Sequence, residues 1–392
     1  MKNLWDENEA KAFVTDLELR VYTSNLLGRS DELVLHGGGN TSVKSMIEDE
    51  EILFVKGSGW DLVSIKKEGF APVKLQALQE MAELEVLSDS DMVRLQKEAM
   101  IDKSAPNPSV EAILHAIIPY KFVDHTHADA VVTISNSIKG ERLIKEVFPN
   151  FLIIPYVMPG FILAQKIYEM TQGFDWEKCD GIILHNHGIF TFDNDGKKSY
   201  DKMIEAVSIA EDFLEKNTKI EFEEQKEKEF DLEILKKLVS VEKGYEVFCS
   251  INNSPLSLYY SSLSSDKLTR GVLTPEHIIR TKRAPLLLQS NDNLEDMEIA
   301  IDNYKKDYIA YFDSFSSSEI MLNPAPNYVI VKKFGVISFG KTQKEADIIQ
   351  DIVNHTIIAI LKADLLGGYQ SISLSDSFDM EYWELEQAKL KK

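Results

Sequence analysis

Apolar residues over positions 8–28, among them Phe13, Leu17, Leu19, Val21 and Leu26, show helical spacing that ends at Gly28, a residue able to cap. Short β-like segments follow at Leu33–Leu35 and Ile52–Val55, then a helical stretch over about 74–98 and a loop rich in Pro, Asn and Ser at 104–109. The pattern then predicts a helix over 110–119, strands over 123–135 and 181–192, and a long helix over about 198–215. Lys216–Asp231 is dense in charge and poor in apolar residues, as a solvated connector is. The chain is therefore expected to divide into a domain over 1–217, a charged connector over 218–231, a second and smaller α/β domain over 232–370, and a polar C-terminal tail over 371–392.

The second domain carries an echo of the first. Ile183–Phe192 can be laid over Val331–Phe339 by matching Gly188 to Gly335 and Phe192 to Phe339, and in both a Gly-Lys pair (Gly196-Lys197, Gly340-Lys341) leads into a long helix. Phe334 then stands where the first copy has His187, and Lys332 where it has His185. Two readings follow: a degenerate repeat whose second copy has lost its chemistry, or a generic strand–turn–helix match.

Candidate chemistry is concentrated in the first domain. Asp124-His125-Thr126-His127 places two imidazoles two residues apart on a strand, where they share a face and can meet one metal ion. A third nitrogen is available from His185-Asn186-His187-Gly188, and three neutral nitrogens leave a coordination position open, as in a catalytic rather than a structural zinc site. Glu111, at the start of the helix over 110–119 with Ser109 as its N-cap, is a candidate base; a glutamate there also serves simply to stabilise the helix end. His115 shares that helix face and could lie in the core or support the site from behind, the core being the favoured reading. His36-Gly37-Gly38-Gly39-Asn40-Thr41-Ser42 and Lys56-Gly57-Ser58-Gly59 are turns whose backbone N–H groups and hydroxyls suit a phosphate or carboxylate. No G-x-S-x-G elbow or G-x-G-x-x-G is present, so esterase and dinucleotide readings lack support.

Composition narrows the partners. The 392 residues are 44% hydrophobic, enough for a large core, and 43 Lys and Arg against 64 Asp and Glu give a formal net charge of −21. Without a basic stripe, nucleic acid and anionic membranes are not expected partners, and an anionic ligand must be held by local donors. Cys179 and Cys249 have no CxxC spacing, which fits a reducing compartment; the N-terminus lacks an apolar signal core, and the most apolar stretch, 151–164, is short and carries Pro155 and Pro159. A cytoplasmic protein is expected.

Taken in order, GGGNTS, KGSG, PSVE, DHTHAD and HNHG resemble the signatures of the class II aldolase/adducin family over about residues 8–215. RGVLTPEHIIRTK (270–282) and FDMEYWELEQAKL (378–390) are similar to the aldolase part of bacterial proteins that fuse a rhamnulose-phosphate aldolase to a short-chain dehydrogenase. The resemblance implies an α/β, α+β-like three-layer fold with a mainly antiparallel central sheet flanked by helices. It implies His125, His127 and His187 as ligands of Zn2+ or another divalent metal, His187 being preferred to His185 because it directly precedes the glycine, and Glu111 as acid/base. Gly39, Asn40, Ser58, Gly59 and Ser109 fall to the phosphate or carboxylate end of the substrate, although Val110 stands where family aldolases commonly have a second small hydroxyl residue. No Schiff-base lysine is needed, which leaves Lys44 and Lys56 as anion contacts or solvated charges. The implied function is retro-aldol cleavage of a ketose 1-phosphate; alternatives are an epimerase, decarboxylase or dehydratase of a sugar phosphate or sugar acid, or a non-catalytic adducin-like module. Homo-oligomers and a separate dehydrogenase partner also follow from the resemblance.

Overall fold

A computed structural model describes residues 1–390. The chain forms two compact units, one of Met1–Ser135 with Lys139–Asn217, the other of Asn136–Ile138 with Thr218–Lys392. No helix among the described residues is long and apolar enough to cross a membrane.

The first unit is built on seven strands: β1 (Asn40–Ile47), β2 (Glu50–Lys56), β3 (Phe70–Lys74), β4 (Phe122–Thr126), β5 (Phe151–Ile154), β6 (Gly181–Leu184) and β7 (Gly188–Asp193), in the order β3-β2-β1-β4-β7-β6-β5. Every pairing is antiparallel except β5 with β6, so the expected mainly antiparallel sheet between helical layers is what forms. Side chains alternate across it. Leu53, Val55, Val73, Val123 and Phe190 pack under the helices Leu75–Ala82, Ala112–Ile117 and Phe161–Met170, each fully buried aliphatic or aromatic side chain stabilising the unit by about 1.5–3 kcal/mol. Asp124 and Thr126, of opposite parity to Val123 and His125, face the helices Asp16–Leu27 and Gly196–Asn217.

That opposite face holds a buried ion pair. Arg20 and Asp124 are both 0% exposed and bonded to each other. The guanidinium also donates to Thr23 Oγ1 (2.5 Å) and to the carbonyls of Ser42 and Val123 (3.4 Å each), and Ser199 Oγ donates to Asp124 Oδ2 (2.5 Å). Burial pulls the Arg20 guanidinium down from its ordinary pKa and the Asp124 charge pushes it back.

Several elements differ from the sequence pattern. Leu33–Leu35 lies in turns, while the polar β1 and the short β3 are strands. The stretch over 74–98 breaks into Leu75–Ala82 and Asp89–Glu98, the second helix starting where Ser88 Oγ accepts from Asp91 N. The strand over 123–135 stops at Thr126 and the helix Asp129–Ser135 follows, every residue of it after Asp129 buried; a fully buried apolar run carries no periodicity to separate the two forms. The strand over 181–192 is the β6–β7 hairpin. Residues 371–392, expected as a polar tail, carry the helices Leu374–Glu381 and Glu384–Leu390, with Phe378, Met380, Tyr382 and Trp383 buried.

The second unit has four strands, β8 (Phe248–Asn252), β9 (Leu286–Gln289), β10 (Tyr328–Lys332) and β11 (Gly335–Gly340), ordered β8-β11-β10-β9. Their connectivity is that of β4-β7-β6-β5: the hairpin β10–β11 matches β6–β7, β9 runs parallel to β10 as β5 does to β6, and β8 is antiparallel to β11 as β4 is to β7. Both hairpin turns hold a non-glycine residue at positive φ two places before the aligned glycine, Asn186 at 60° and Lys333 at 61°. Helices Gly196–Asn217 and Gln343–Leu365 follow. Order, direction and turn conformation together favour the degenerate repeat. Strand register then equates His125, paired with Phe190, to Ile251, paired with Ile337, and His127 to Asn253.

Replacing Arg20 by Ala leaves Asp124 charged and buried, and is expected to lower the unfolding free energy by about 3–5 kcal/mol. Urea denaturation checks it; a loss under about 1 kcal/mol, the worth of an ordinary surface pair, would show that the pair does not organise the sheet.

Candidate metal centre and its surroundings

β4 places His125 between β1 and β7, opposite Asn40 on one side and Phe190 on the other. Its ring lies flat on Phe190, centroids 4.0 Å apart and planes 13° off parallel, and its Nδ1 stands 3.0 Å from Ile189 O. A carbonyl can only accept, so Nδ1 carries the proton and Nε2 offers its lone pair. His127, just past the strand end, brings its Nε2 to 3.0 Å from His125 Nε2. His187 enters from the β6–β7 turn, and the ligand atoms of all three lie within 4.8 Å of one another. Adjacent nitrogens of a tetrahedral zinc site are about 3.3 Å apart, so the donor set fits a divalent ion.

Gly188 sets how closely the turn approaches. A Cβ there would stand 2.4 Å from Thr126 O, 2.9 Å from His125 Cε1 and 3.1 Å from His127 Cδ2. The positive φ of the turn belongs to Asn186, so the glycine is required for space and not for turning.

Glu111 occupies the N-cap position of Ala112–Ile117 without capping it, and its side chain turns inward, 6% exposed. Oε2 is 3.5 Å from His125 Nε2 and Oε1 is 3.8 Å from His187 Nε2. Oε2 accepts from Asn40 Nδ2 (2.5 Å), whereas Oε1 is buried with no hydrogen-bond partner. Asn40 Oδ1 meets His115 Nε2 (2.5 Å), and His115 Nδ1 meets Ser42 Oγ (2.8 Å). Directed consistently, Ser42 donates to His115, His115 to Asn40, and Asn40 to Glu111. His115, expected in the core, is indeed fully buried against Phe190, yet it is a link in this polar chain. Burial holds its pKa well below the ordinary histidine value. The supporting role, the less favoured of the two sequence readings of His115, is the one its contacts match, whereas Ser42 carries no such signal; the alternation that puts Asn40 and Ser42 on one face of β1 is the pattern that could have found it.

The two glycine turns and the 104–109 loop come together around this carboxylate. Gly39, at φ 64°, runs so close to β4 that a Cβ would meet His125 O at 2.7 Å. Lys56 Nζ donates to Gly37 O (3.1 Å), Ser58 N donates to Asn107 O (2.8 Å) and Ser109 N to Lys56 O (3.0 Å). Ser109 Oγ accepts from Glu111 N (3.3 Å), so Ser109 supports the glutamate's own backbone. Ser58 and Gly59 are exposed, and nothing stands within 4 Å of a Cβ at Gly59. Lys56 is 7% exposed; burial lowers its pKa, and Asp61 and then Glu111 oppose the shift. Lys44 is neither an anion contact nor a solvated charge, since its Nζ donates to the carbonyls of Ile118 and Tyr120 at the end of Ala112–Ile117. His185 is outside the three-nitrogen group; its Nδ1 meets Asn186 Oδ1 (2.6 Å) and its buried Nε2 has no hydrogen-bond partner.

Residues 18–214 match the model of the Class II Aldolase and Adducin N-terminal domain, and residues 226–390 that of Aldolase class II, second domain. The chain belongs to the class II aldolase and adducin family. Within the family, the N-terminal class II aldolase domain of a conserved protein from Thermoplasma acidophilum is 39% identical, with a TM-score of 0.51, covering 55% of this chain and 99% of that one. The Uncharacterized oxidoreductase YuxG of Bacillus subtilis (strain 168) is 28% identical over 420 residues, spanning 100% of this chain, which covers 60% of that relative's length. The family's second-domain model falls on the unit in which register has replaced all three histidines.

Two outcomes follow. Gly188→Ala should weaken divalent-metal affinity by about 10- to 100-fold, as lost ligand orientation does, in competition with a chelating dye; unchanged affinity would refute the close-approach requirement. His115 is neutral when folded, and the unfolded chain takes up a proton there below about pH 6.5. Its folded pKa being depressed, its contribution is present above that pH and is lost as pH falls, by roughly 1.4 kcal/mol per pH unit. Urea melts from pH 7 to 5 should therefore be less steep in pH for His115→Gln, and equal slopes would remove His115 as the source.

Proposed function

We propose that the first unit is a metal-dependent lyase that cleaves a ketose 1-phosphate by a retro-aldol reaction, with zinc held by His125, His127 and His187. The observation that carries this reading is the buried, partnerless Oε1 of Glu111 beside three converging imidazole nitrogens. A carboxylate placed so is costly unless a cation or a substrate proton completes it.

A divalent cation at the three histidines supplies positive charge that stabilises the negative charge developing on a carbonyl-derived oxygen. The chain's own residues do the rest. Glu111 takes the proton of the C4 hydroxyl through Oε1, the C3–C4 bond breaks with its electron pair passing toward the C2 carbonyl as C4 becomes an aldehyde, and Glu111 then returns the proton to C3 to give dihydroxyacetone phosphate. Asn40, held by His115, keeps Oε2 fixed so that Oε1 is the oxygen that acts. The neutral His115 adds no competing charge to the carboxylate. Gly39, Ser58, Gly59 and Ser109 receive the phosphate through backbone N–H groups and hydroxyls, and Lys56 supplies the local positive charge that a net charge of −21 otherwise denies an anion. Asn40, expected at the anionic end of the substrate, acts in this reading on Glu111. The oxidoreductase name of a relative longer than this chain supports a dehydrogenase that consumes a product of the cleavage.

Elemental analysis of the purified protein is expected to find close to stoichiometric zinc, absent from His127→Ala along with activity. Glu111→Gln should keep the metal and lose about 10²- to 10⁴-fold in turnover. The assay is release of dihydroxyacetone phosphate from a panel of ketose 1-phosphates. A fully active Glu111→Gln removes Glu111 as the base; no release from any panel member, with metal bound, overturns the retro-aldol reaction.

A further inference from the structure

The two sequence stretches that the metal centre leaves unused, 270–282 and 378–390, meet inside the second unit. Lys282 follows the helix Ile278–Thr281 with φ 62° and ψ 174°, a backbone region that only glycine enters without strain and that clusters at functional sites. Its residue is 5% exposed, its Nζ stands 3.5 Å over the centroid of the Tyr308 ring, and it donates to Asn323 O at 2.6 Å. Among the described residues it makes no ion pair, although the field of Glu381 reaches it. Glu381 is 2% exposed; Oε1 accepts from Tyr308 OH (2.8 Å), Tyr308 OH in turn accepts from Tyr382 OH (2.6 Å), and Oε2 is buried, with the Tyr311 hydroxyl also acting on the carboxyl.

An amine and a carboxyl thus share one interior cluster without touching, the amine with donors to spare beyond Asn323 O. A methionine could pack on Tyr308 with no charge to desolvate, so packing alone explains neither the lysine nor the strain. Burial pushes the amine's pKa down and the carboxyl's up, their mutual attraction opposing both shifts. An amine whose charged form burial disfavours, in one cluster with a carboxyl whose charged form it also disfavours, is the pairing that amine–carbonyl condensation uses.

The geometry points to Lys282 as the nucleophile of a second, carbonyl-capturing site, with Glu381 moving its protons, Tyr308 and Tyr382 holding Glu381, and a small aldehyde or ketone as ligand. The Nζ lone pair forms a bond to the carbonyl carbon, and the carbonyl oxygen takes a proton from Glu381, which recovers one from the nitrogen. The nitrogen lone pair then forms the C=N bond as the C–O bond breaks, Glu381 again protonating the leaving oxygen and recovering the second nitrogen proton. One water leaves, carrying both amine hydrogens, and Glu381 ends as it began. That the natural ligand is the aldehyde from retro-aldol cleavage rests on the function proposed above; the reactivity of Lys282 does not.

The full chain is treated with glycolaldehyde and sodium cyanoborohydride at pH 7, and labelling of each lysine is timed by peptide mass spectrometry. Lys178 and Lys219, with side chains 83% and 82% exposed, are the references. Lys282 is expected to label at least about tenfold faster than either, as an amine whose pKa burial lowers does, and Glu381→Gln to slow Lys282 alone. Lys282 labelling no faster than the references overturns the site; an unchanged rate in Glu381→Gln overturns the role of Glu381. Labelling that persists in His127→Ala keeps this result separate from any failure of the aldolase reading.

Discussion

Two opposite charges without access to water lie directly behind the strand that carries His125. Arg20 and Asp124 are held there by Thr23 on the same helix, the carbonyls of Ser42 on β1 and Val123 on β4, and Ser199 on the long helix. Such a pair is weak as a source of net stability and strong as a constraint, since displacing any one partner leaves a charge unanswered. Four elements are thereby fixed relative to one another. His125 is the next residue along β4 and points the other way, so its position is inherited from a contact that never touches the chemistry.

The residues that converge around Glu111 are more legible in the sequence than the elements bearing them. A His-x-His pair and a His-Gly turn are visible because ligand geometry constrains identity and spacing together. β1 was not visible, because Asn40-Thr41-Ser42 buries polar side chains that answer partners far away in sequence: Thr41 with Ser24, Ser42 with His115, Asn40 with Glu111. Hydropathy alternation cannot register a strand whose buried face is polar by design. The opposite error arose at Ala130–Ser135, where burial on all sides erased the contrast that distinguishes helix from strand. The polar-looking segment after 370 hid Phe378 and Tyr382, which stack on each other with centroids 4.6 Å apart.

The second unit preserves the scaffold and lacks the three histidines. Its hairpin turn keeps a non-glycine residue at positive φ, while Ile251, Asn253 and Phe334 occupy the places of the three histidines. Strand order survives such loss because it is enforced by many apolar contacts, among them Val329, Val331, Ile337 and Phe339 in one cluster, whereas a metal site depends on three residues at once. Freed of that demand, the copy has put its buried polar groups elsewhere, around Lys282 and Glu381.

The close approach at Gly188 and Gly39 bears on how this protein responds to random change. Both positions lack any functional group, yet at each a single carbon atom would be driven into backbone of β4. A histidine ligand exchanged for another coordinating residue keeps some prospect of binding; a methyl group at either glycine displaces the strand on which two ligands depend. In a population of variants, the sites least able to tolerate substitution would therefore include residues that do no chemistry at all, and mapping tolerance would outline the space around the metal centre more sharply than the centre itself.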